Sequence, residues 1–142
     1  MTQLTSREIV QIFFDKLGHE NDVDGLLDFI ADDVVVETPF APAGLQTRFE
    51  GKAEIDARFG DARRPMQFFH FLDLRIFATE DPEVWFATCA SEGKQADGRS
   101  YANSYCWMFR VREGLIRWWR EYYDPQPVMP FLENISGQPT ST

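Results

Sequence analysis

The residues of this 142-residue chain best suited to chemistry lie in two aromatic-rich stretches toward its C-terminus. In Trp119-Arg120-Glu121-Tyr122-Tyr123 one carboxylate stands among indole and phenol rings. Burial among such rings disfavours a carboxylate's charge, which raises its pKa toward the range useful for moving a proton. The plainer alternative for Glu121 is an ion pair with Arg58, Arg117 or another arginine. Tyr101, Asn103 and Tyr105 occupy alternate positions, so on a strand they share one face; there they either polarise a ligand carbonyl or simply line a cavity. His70 is a second acid–base candidate, against the alternative of a histidine hydrogen-bonded in the core. Arg58 cannot act as a base near neutral pH but can hold a carboxylate or a developing enolate; otherwise it is a helix-surface arginine.

Composition excludes other chemistries. Lys and Arg total 14 against 23 Asp and Glu, a net charge of −9, and such a field repels a phosphate backbone, so nucleic acid is not an expected partner. No Gly-rich phosphate loop, HExxH or GxSxG occurs, and two cysteines, Cys89 and Cys106, make neither a disulfide scaffold nor a zinc site, so no cofactor or metal is expected. No apolar run approaches membrane-spanning length, and MTQLTSREIV lacks the layout of a signal peptide; no membrane and a cytoplasmic setting are the expectations. With 44% hydrophobic and 15% aromatic residues, the chain has ample material for a packed core.

Positioning these side chains falls to a short list of elements. Thr5 or Ser6 caps a first helix carrying Ile9, Val10, Phe13, Phe14 and Leu17 at helical spacing, which Gly18 is expected to end. Asn21 or Asp22 caps a second, with Val23, Leu26, Leu27 and Ile30 as its buried stripe. Asp32-Asp33 break that pattern, Val34-Val35-Val36 open a strand stopping at Thr38-Pro39, and a Pro- and Gly-rich loop runs to Phe49. Gly51-Lys52 lead into a third helix bearing Ile55, Ala57, Arg58 and Phe59. Strands are then expected over 68–78, 84–95, 99–111 and 115–124, the last three joined by turns at Ala96-Asp97-Gly98 and Arg112-Glu113-Gly114. This is an α+β plan: three N-terminal helices packed on a strongly bent, mainly antiparallel sheet, one domain over residues 1–125. The tail is residues 126–142; the run Pro125-Gln126-Pro127-Val128-Met129-Pro130 leading into it reads as neither helix nor central strand, and 134–142 read as frayed.

Turn geometry supplies a register. A three-residue turn at Arg112-Glu113-Gly114 pairs Val111 with Leu115, Tyr105 with Glu121, Trp107 with Trp119 and Asn103 with Tyr123. One face then carries Tyr101, Asn103, Tyr105, Trp107, Phe109, Trp119, Glu121 and Tyr123; the other carries Ala102, Ser104, Cys106, Met108, Trp118, Arg120 and Tyr122, which suits a sheet-to-sheet dimer contact. In the 68–78 strand, Asp73 and Arg75 alternate with Leu72, Leu74 and Ile76, which puts His70 on the buried face. The Asp97-Gly98 turn leaves two registers open: a two-residue turn sets Cys89 opposite Cys106, a three-residue turn sets it opposite Tyr105.

The run Phe29-Ile30-Ala31-Asp32-Asp33-Val34, the step Phe49-Glu50-Gly51-Lys52 and the final stretch Gly114-Leu115-Ile116 to Trp119-Arg120-Glu121-Tyr122-Tyr123-Asp124-Pro125 occur in the order and spacing of a known family. Over about residues 5–125 the chain resembles the NTF2-like superfamily of cone-shaped α+β barrels, in particular its SnoaL-like branch. The resemblance implies that fold, but its members include isomerases, cyclases, dehydratases, hydrolases and non-catalytic binding domains, so it does not fix a reaction. Ketosteroid isomerases place a base aspartate before a proline where this chain has Thr38-Pro39, and their helix-one tyrosine falls at Phe13 or Phe14; both chemical groups are missing. Limonene-epoxide hydrolases carry an acid at the position of Glu121 but also need an Arg-x-Asp pair where this chain has Ala87-Thr88-Cys89-Ala90. Phenazine-biosynthesis-type members are most similar at Tyr101-x-Asn103 and Arg120-Glu121, with Arg58 at the position of their helix-three histidine.

Residues and resemblance together imply a small-molecule protein: a cofactor-free isomerase, cyclase, dehydratase or hydrolase acting on a cyclic or aromatic hydrophobic substrate, or a non-catalytic ligand- or protein-binding domain of the same fold. The expected catalytic residues are Glu121 and His70, with Tyr101, Asn103, Tyr105, Trp107, Trp119, Tyr123 and Arg58 around the ligand, in a homodimer.

Overall fold

The computed structural model describes residues 3–63 and 66–136. Helix α1 (Ser6–Asp15) starts at Thr5, whose hydroxyl accepts from the Glu8 amide while the Glu8 carboxylate accepts from the Thr5 amide, a reciprocal cap that satisfies two orphan donors. The helix does not end at Gly18. It widens into a π-helical turn, Lys16–Glu20, and stops at Asn21 in the left-handed conformation. Gly18 serves proximity instead, since a Cβ there would lie 2.2 Å from the Phe71 ring. Asp22 caps α2 (Val23–Leu27) through the Gly25 amide.

Strand β1 (Ile30–Glu37) begins earlier than the β-branched run suggests and carries Asp32-Asp33 outward on an irregular stretch between Ile30 and Val35. The following loop contains a short strand, β2 (Arg48–Glu50), paired antiparallel to β1, that alternation too brief to read had concealed. Then come α3 (Lys52–Arg63), β3 (Met66–Ala78), β4 (Val84–Gln95), β5 (Ser100–Arg112) and β6 (Leu115–Tyr123). The sheet order is β2-β1-β6-β5-β4-β3, antiparallel throughout except for the β1–β6 pair. It curls without closing, so the expected α+β architecture is present as an open, strongly bent sheet with helices on its concave side.

Two bulges decide which side chains face that concave side. The β5–β6 connection is a two-residue turn, with Glu113 and Gly114 both at positive φ and Arg112 opposite Leu115, rather than the expected three-residue turn. The register then shifts between Arg110 and Val111, so that Arg110 faces Trp118, Phe109 faces Trp119, Trp107 faces Glu121 and Tyr105 faces Tyr123. The expected pairs are thus two residues out, but a slip of two preserves the face, and the inward set is the expected one. In β3 the slip is fatal to the expectation. Asp73 adopts a left-handed φ of 55°, and the irregularity between Leu72 and Arg75 inverts the alternation. Phe69 and Phe71 point inward before it, Leu74 and Ile76 after it; His70 lies on the exposed outer face, its ring stacked 6.0 Å from that of His19. The β4–β5 turn is the three-residue form: Gln95 bonds Arg99 across it, Gly98 takes positive φ, and Cys89 faces Tyr105.

The tail also departs from its expected irregularity. Gln126–Val128 form a 3-10 turn that leads into α4 (Met129–Ser136). Pro127 and Pro130 fall in first turns, where a missing N–H costs nothing. The expected fraying of 134–142 falls on α4 up to Ser136; residues 137–142 lie outside the described residues.

Phe13 is the hub of the core. Its ring meets Trp107, Phe109 and Trp119 edge-on at 5.4, 5.0 and 5.0 Å, joining α1 to β5 and β6. Replacing Phe13 by Ala is expected to cost about 3–5 kcal/mol, the range for a large aromatic truncated in a core. Urea unfolding checks this: the midpoint falls while the slope is unchanged.

Candidate functional site

The concave face holds a cavity of about 220 Å³ whose wall is drawn mainly from α3, β3, β5, β6 and the C-terminal segment. Strand β5 supplies Tyr101, Tyr105 and Trp107; β6 supplies Glu121 and Tyr123; α3 supplies Arg58 and Phe59; β3 supplies Phe69 and Phe71. A cavity of about 150 Å³ accepts benzene, so this one has room for a substituted ring.

Glu121 is placed on the wall by the sheet. It faces Trp107 across the ladder and lies between the same-face neighbours Trp119 and Tyr123, which leaves it only 7% exposed. Arg58 reaches it from α3: the guanidinium Nη2 lies 3.5 Å from the carboxylate Oε1, and the same group lies 5.1 Å over the Phe49 ring. Helical spacing explains the reach, because Ile55 and Phe59 anchor α3 in the core and Arg58 follows one step round, at the helix's edge toward the cavity.

Around this pair the phenols stay protonated. Burial pushes Tyr123 up to about 12, with the Glu121 charge adding to the rise and Arg58 opposing it. Burial likewise raises Tyr101 and, further, Tyr105. Tyr105 shares a 2.9 Å hydrogen bond with Ser91. Burial raises the Cys89 thiol to about 12, with the nearby Trp107 indole opposing the rise. Neither neighbour makes that thiol a nucleophile.

Of the side chains expected from sequence to form the site, Glu121, Arg58, Tyr101, Tyr105, Trp107 and Tyr123 come together on the cavity wall. Three do not. Trp119 is fully buried beneath the wall, stacked on Phe59 at 6.0 Å and against Phe13, because its alternate position falls deeper in the curl than Glu121. Asn103 is buried with its amide committed to Asp124 and Tyr101. His70 is on the far side of the sheet, for the reason given by the bulge at Asp73. The inward side of β3 instead brings Phe69 and Phe71, and the left-handed tolerance of Asp is the one sequence signal of the inversion. The tail adds a lining that sequence reading missed. Val128 and Phe131 line the cavity from the tail, with Phe131 edge-on to Tyr101 at 5.9 Å and the Arg99 guanidinium 4.3 Å from its ring centroid. Among the described residues no group of three or more His, Cys, Asp or Glu side chains is arranged to hold a metal.

Comparison with known proteins gives a consistent family signal. The SnoaL-like domain pattern matches residues 10–119. An uncharacterised PhzA/B-like protein of Pseudomonas aeruginosa is 29% identical over 129 residues, covering 86% of this chain and 84% of its own. A Bacillus subtilis crystal structure provisionally described as an isomerase superimposes with a TM-score of 0.80 at 25% identity, covering 94% of each chain. A phenazine biosynthesis-related protein of P. aeruginosa superimposes at 0.74 with 18% identity, over 96% of this chain and 84% of that one, which is a likeness of fold.

The two thiols test the placement of the wall. Cys106 is exposed on the outer sheet face and Cys89 buried. At pH 8, at a dilution that keeps the chains single, a chromogenic disulfide is expected to titrate one thiol per folded chain and two in denaturant. Cys106→Ser should leave none reactive in the folded protein.

Proposed function

We propose, from the premise that the chain belongs to the SnoaL-like domain family, that it is a cofactor-free acid–base enzyme acting on a cyclic or aromatic hydrophobic substrate. The reaction class is proton transfer within an isomerase, cyclase, dehydratase or hydrolase. One observation carries the reading: a carboxylate 7% exposed on the wall of an aromatic cavity, with an arginine at 3.5 Å.

The roles follow from the chemistry of each group. Rings of Phe69, Phe71, Trp107 and Tyr123 take the apolar body of the substrate and keep water from the reacting atoms. Glu121 removes or returns a proton at a carbon or oxygen activated by a neighbouring carbonyl. Arg58 lends Glu121 its charge in the resting state and can transfer that charge to an acidic substituent or to the oxyanion that builds as the proton leaves. His70, on the opposite sheet face, has no part in this scheme.

A second reading has its own support. The Arg58–Glu121 pair satisfies both charges without a substrate, and the second acid–base candidate is elsewhere, as expected of a domain that binds a ligand without transforming it. Native mass spectrometry of the purified protein supplies the discriminating compound, a retained ring-containing small molecule. With it in hand, Glu121→Gln is expected to lower turnover by about 10²–10⁴-fold while affinity stays within a few-fold, the signature of a lost proton-transfer group. Equal loss of affinity and turnover would make Glu121 an anchor, and absence of turnover by the unaltered protein would establish the binding domain.

The proposal extends to a homodimer through the outer sheet face, where Met108, Trp118, Arg120 and Tyr122 lie together and Glu37 bonds both the Trp118 indole and Arg120. It also includes a cytoplasmic setting; no helix among the described residues is long and apolar enough to cross a membrane. Light scattering at micromolar concentration should return twice the chain mass, and a monomer there would sink the dimer.

A further inference from the structure

Asn103 is one of few polar side chains buried in this sheet, and its bonds are unusually determinate. Its Oδ1 accepts from the Asp124 amide at 3.0 Å, and its Nδ2 donates to the Asp124 carbonyl at 2.9 Å. That reciprocal pair with one backbone unit fixes which end of the amide is nitrogen, because the flipped amide would set donor against donor and acceptor against acceptor. The Ser104 amide, also donating to Oδ1 at 2.7 Å, reinforces the same orientation.

The consequence reaches the cavity. With Nδ2 fixed, its second hydrogen goes to Tyr101 Oη at 2.8 Å, so the phenol oxygen must accept there. Tyr105, on the same face, has its hydroxyl paired with Ser91 Oγ at 2.9 Å. Burial raises the Tyr101 phenol, which keeps its proton in place. The phenol proton therefore does not go to Asn103, and Tyr101 lines the cavity, where an oxygen on a bound ring can accept it.

We propose that Tyr101 is the hydrogen-bond donor to a ligand oxygen in this cavity, and that Asn103 is the positioning residue that sets the direction of that bond. The ligand class is thereby narrowed to rings bearing a carbonyl or comparable acceptor oxygen. Asn103 acts through Tyr101 and does not touch the ligand. The inference rests on the proposed ligand pocket but not on any catalytic role for Glu121.

An aromatic ketone tests it directly. The probe is 4-dimethylaminoacetophenone labelled with ¹³C at the carbonyl, its binding followed by calorimetry and its carbonyl stretch by difference infrared spectroscopy. In the unaltered protein the stretch is expected at lower frequency than in hydrocarbon solvent, as for a carbonyl accepting a hydrogen bond. Tyr101→Phe should move it back toward the hydrocarbon value and weaken binding roughly five-fold, the worth of one neutral hydrogen bond. Asn103→Asp replaces the donor facing Tyr101 by an acceptor, so the tyrosine proton turns away from the cavity, and the stretch should move as in Tyr101→Phe although the ring is retained. Asn103→Ser, which removes the fixed donor without adding a charge, gives an intermediate stretch and serves where the aspartate variant does not fold. A purely structural Asn103 would lower the melting temperature and leave the carbonyl frequency of the bound probe unmoved, which would overturn its positioning role. An unchanged frequency in Tyr101→Phe would overturn the donor assignment while leaving the pocket standing. Failure of the unaltered protein to bind the ketone up to its solubility limit would overturn the pocket reading and this inference with it.

Discussion

An ionised carboxylate facing the inside of a curled sheet is expensive unless its charge is met, and the arrangement of α3 against the sheet is what meets it here. Glu121 lies between Trp119 and Tyr123 on one strand and opposite Trp107 on the next. A long cationic side chain from another element meets it, Arg58 at 3.5 Å. The requirement links parts of the chain 63 positions apart. Strand β6 must present its odd-numbered residues inward, α3 must lie across the sheet with Phe59 buried, and the space between them must admit the guanidinium.

Local irregularity of the sheet satisfies the first of these conditions. A two-residue turn at Glu113-Gly114 would by itself pair odd positions of β5 with even positions of β6. The bulge near Arg110 removes that mismatch, so Ile116 points inward before it and Trp119 and Glu121 after it. Strand β3 uses the same device at Asp73 with the opposite consequence for its histidine, which goes outward while Phe69 and Phe71 turn to the cavity. The wall is therefore aromatic on the β3 side and carries its polar groups on β5, β6 and α3.

Polar groups near the cavity are paired backward, into the protein, so their remaining valence points at the space within. Asn103 spends its amide on Asp124 and on Tyr101; Ser91 meets Tyr105; Arg58 meets Glu121. Val128 and Phe131 then line the cavity from the C-terminal segment, held through Tyr101 and Arg99.

Much of this was legible in the sequence, and for identifiable reasons. The 3.6-residue spacing of Ile9, Phe13 and Phe14, the capping residue near Thr5 and the long alternations of β4, β5 and β6 depend on contacts a few residues apart, which local sequence records. The inward face of β5 and β6 survived a wrong turn length because a two-residue slip does not change sides. The family motifs, in their order, pointed to the same α+β plan. What the sequence did not decide were features with nothing local to announce them. His70 was misplaced because one left-handed residue, Asp73, reverses a strand whose charges otherwise alternate convincingly. Trp119 and Glu121 share one alternation and one face, yet one is core and the other wall, since depth in a curved sheet is set by what packs above it. The tail's helix depends on Phe131 finding Tyr101 and Arg99, contacts made only once β5 is in place. The sequence by itself determined which residue types were available for chemistry and on which strands they lay. The tertiary structure alone decided which of them met, because meeting across the cavity depends on bulges, curvature and long-range packing.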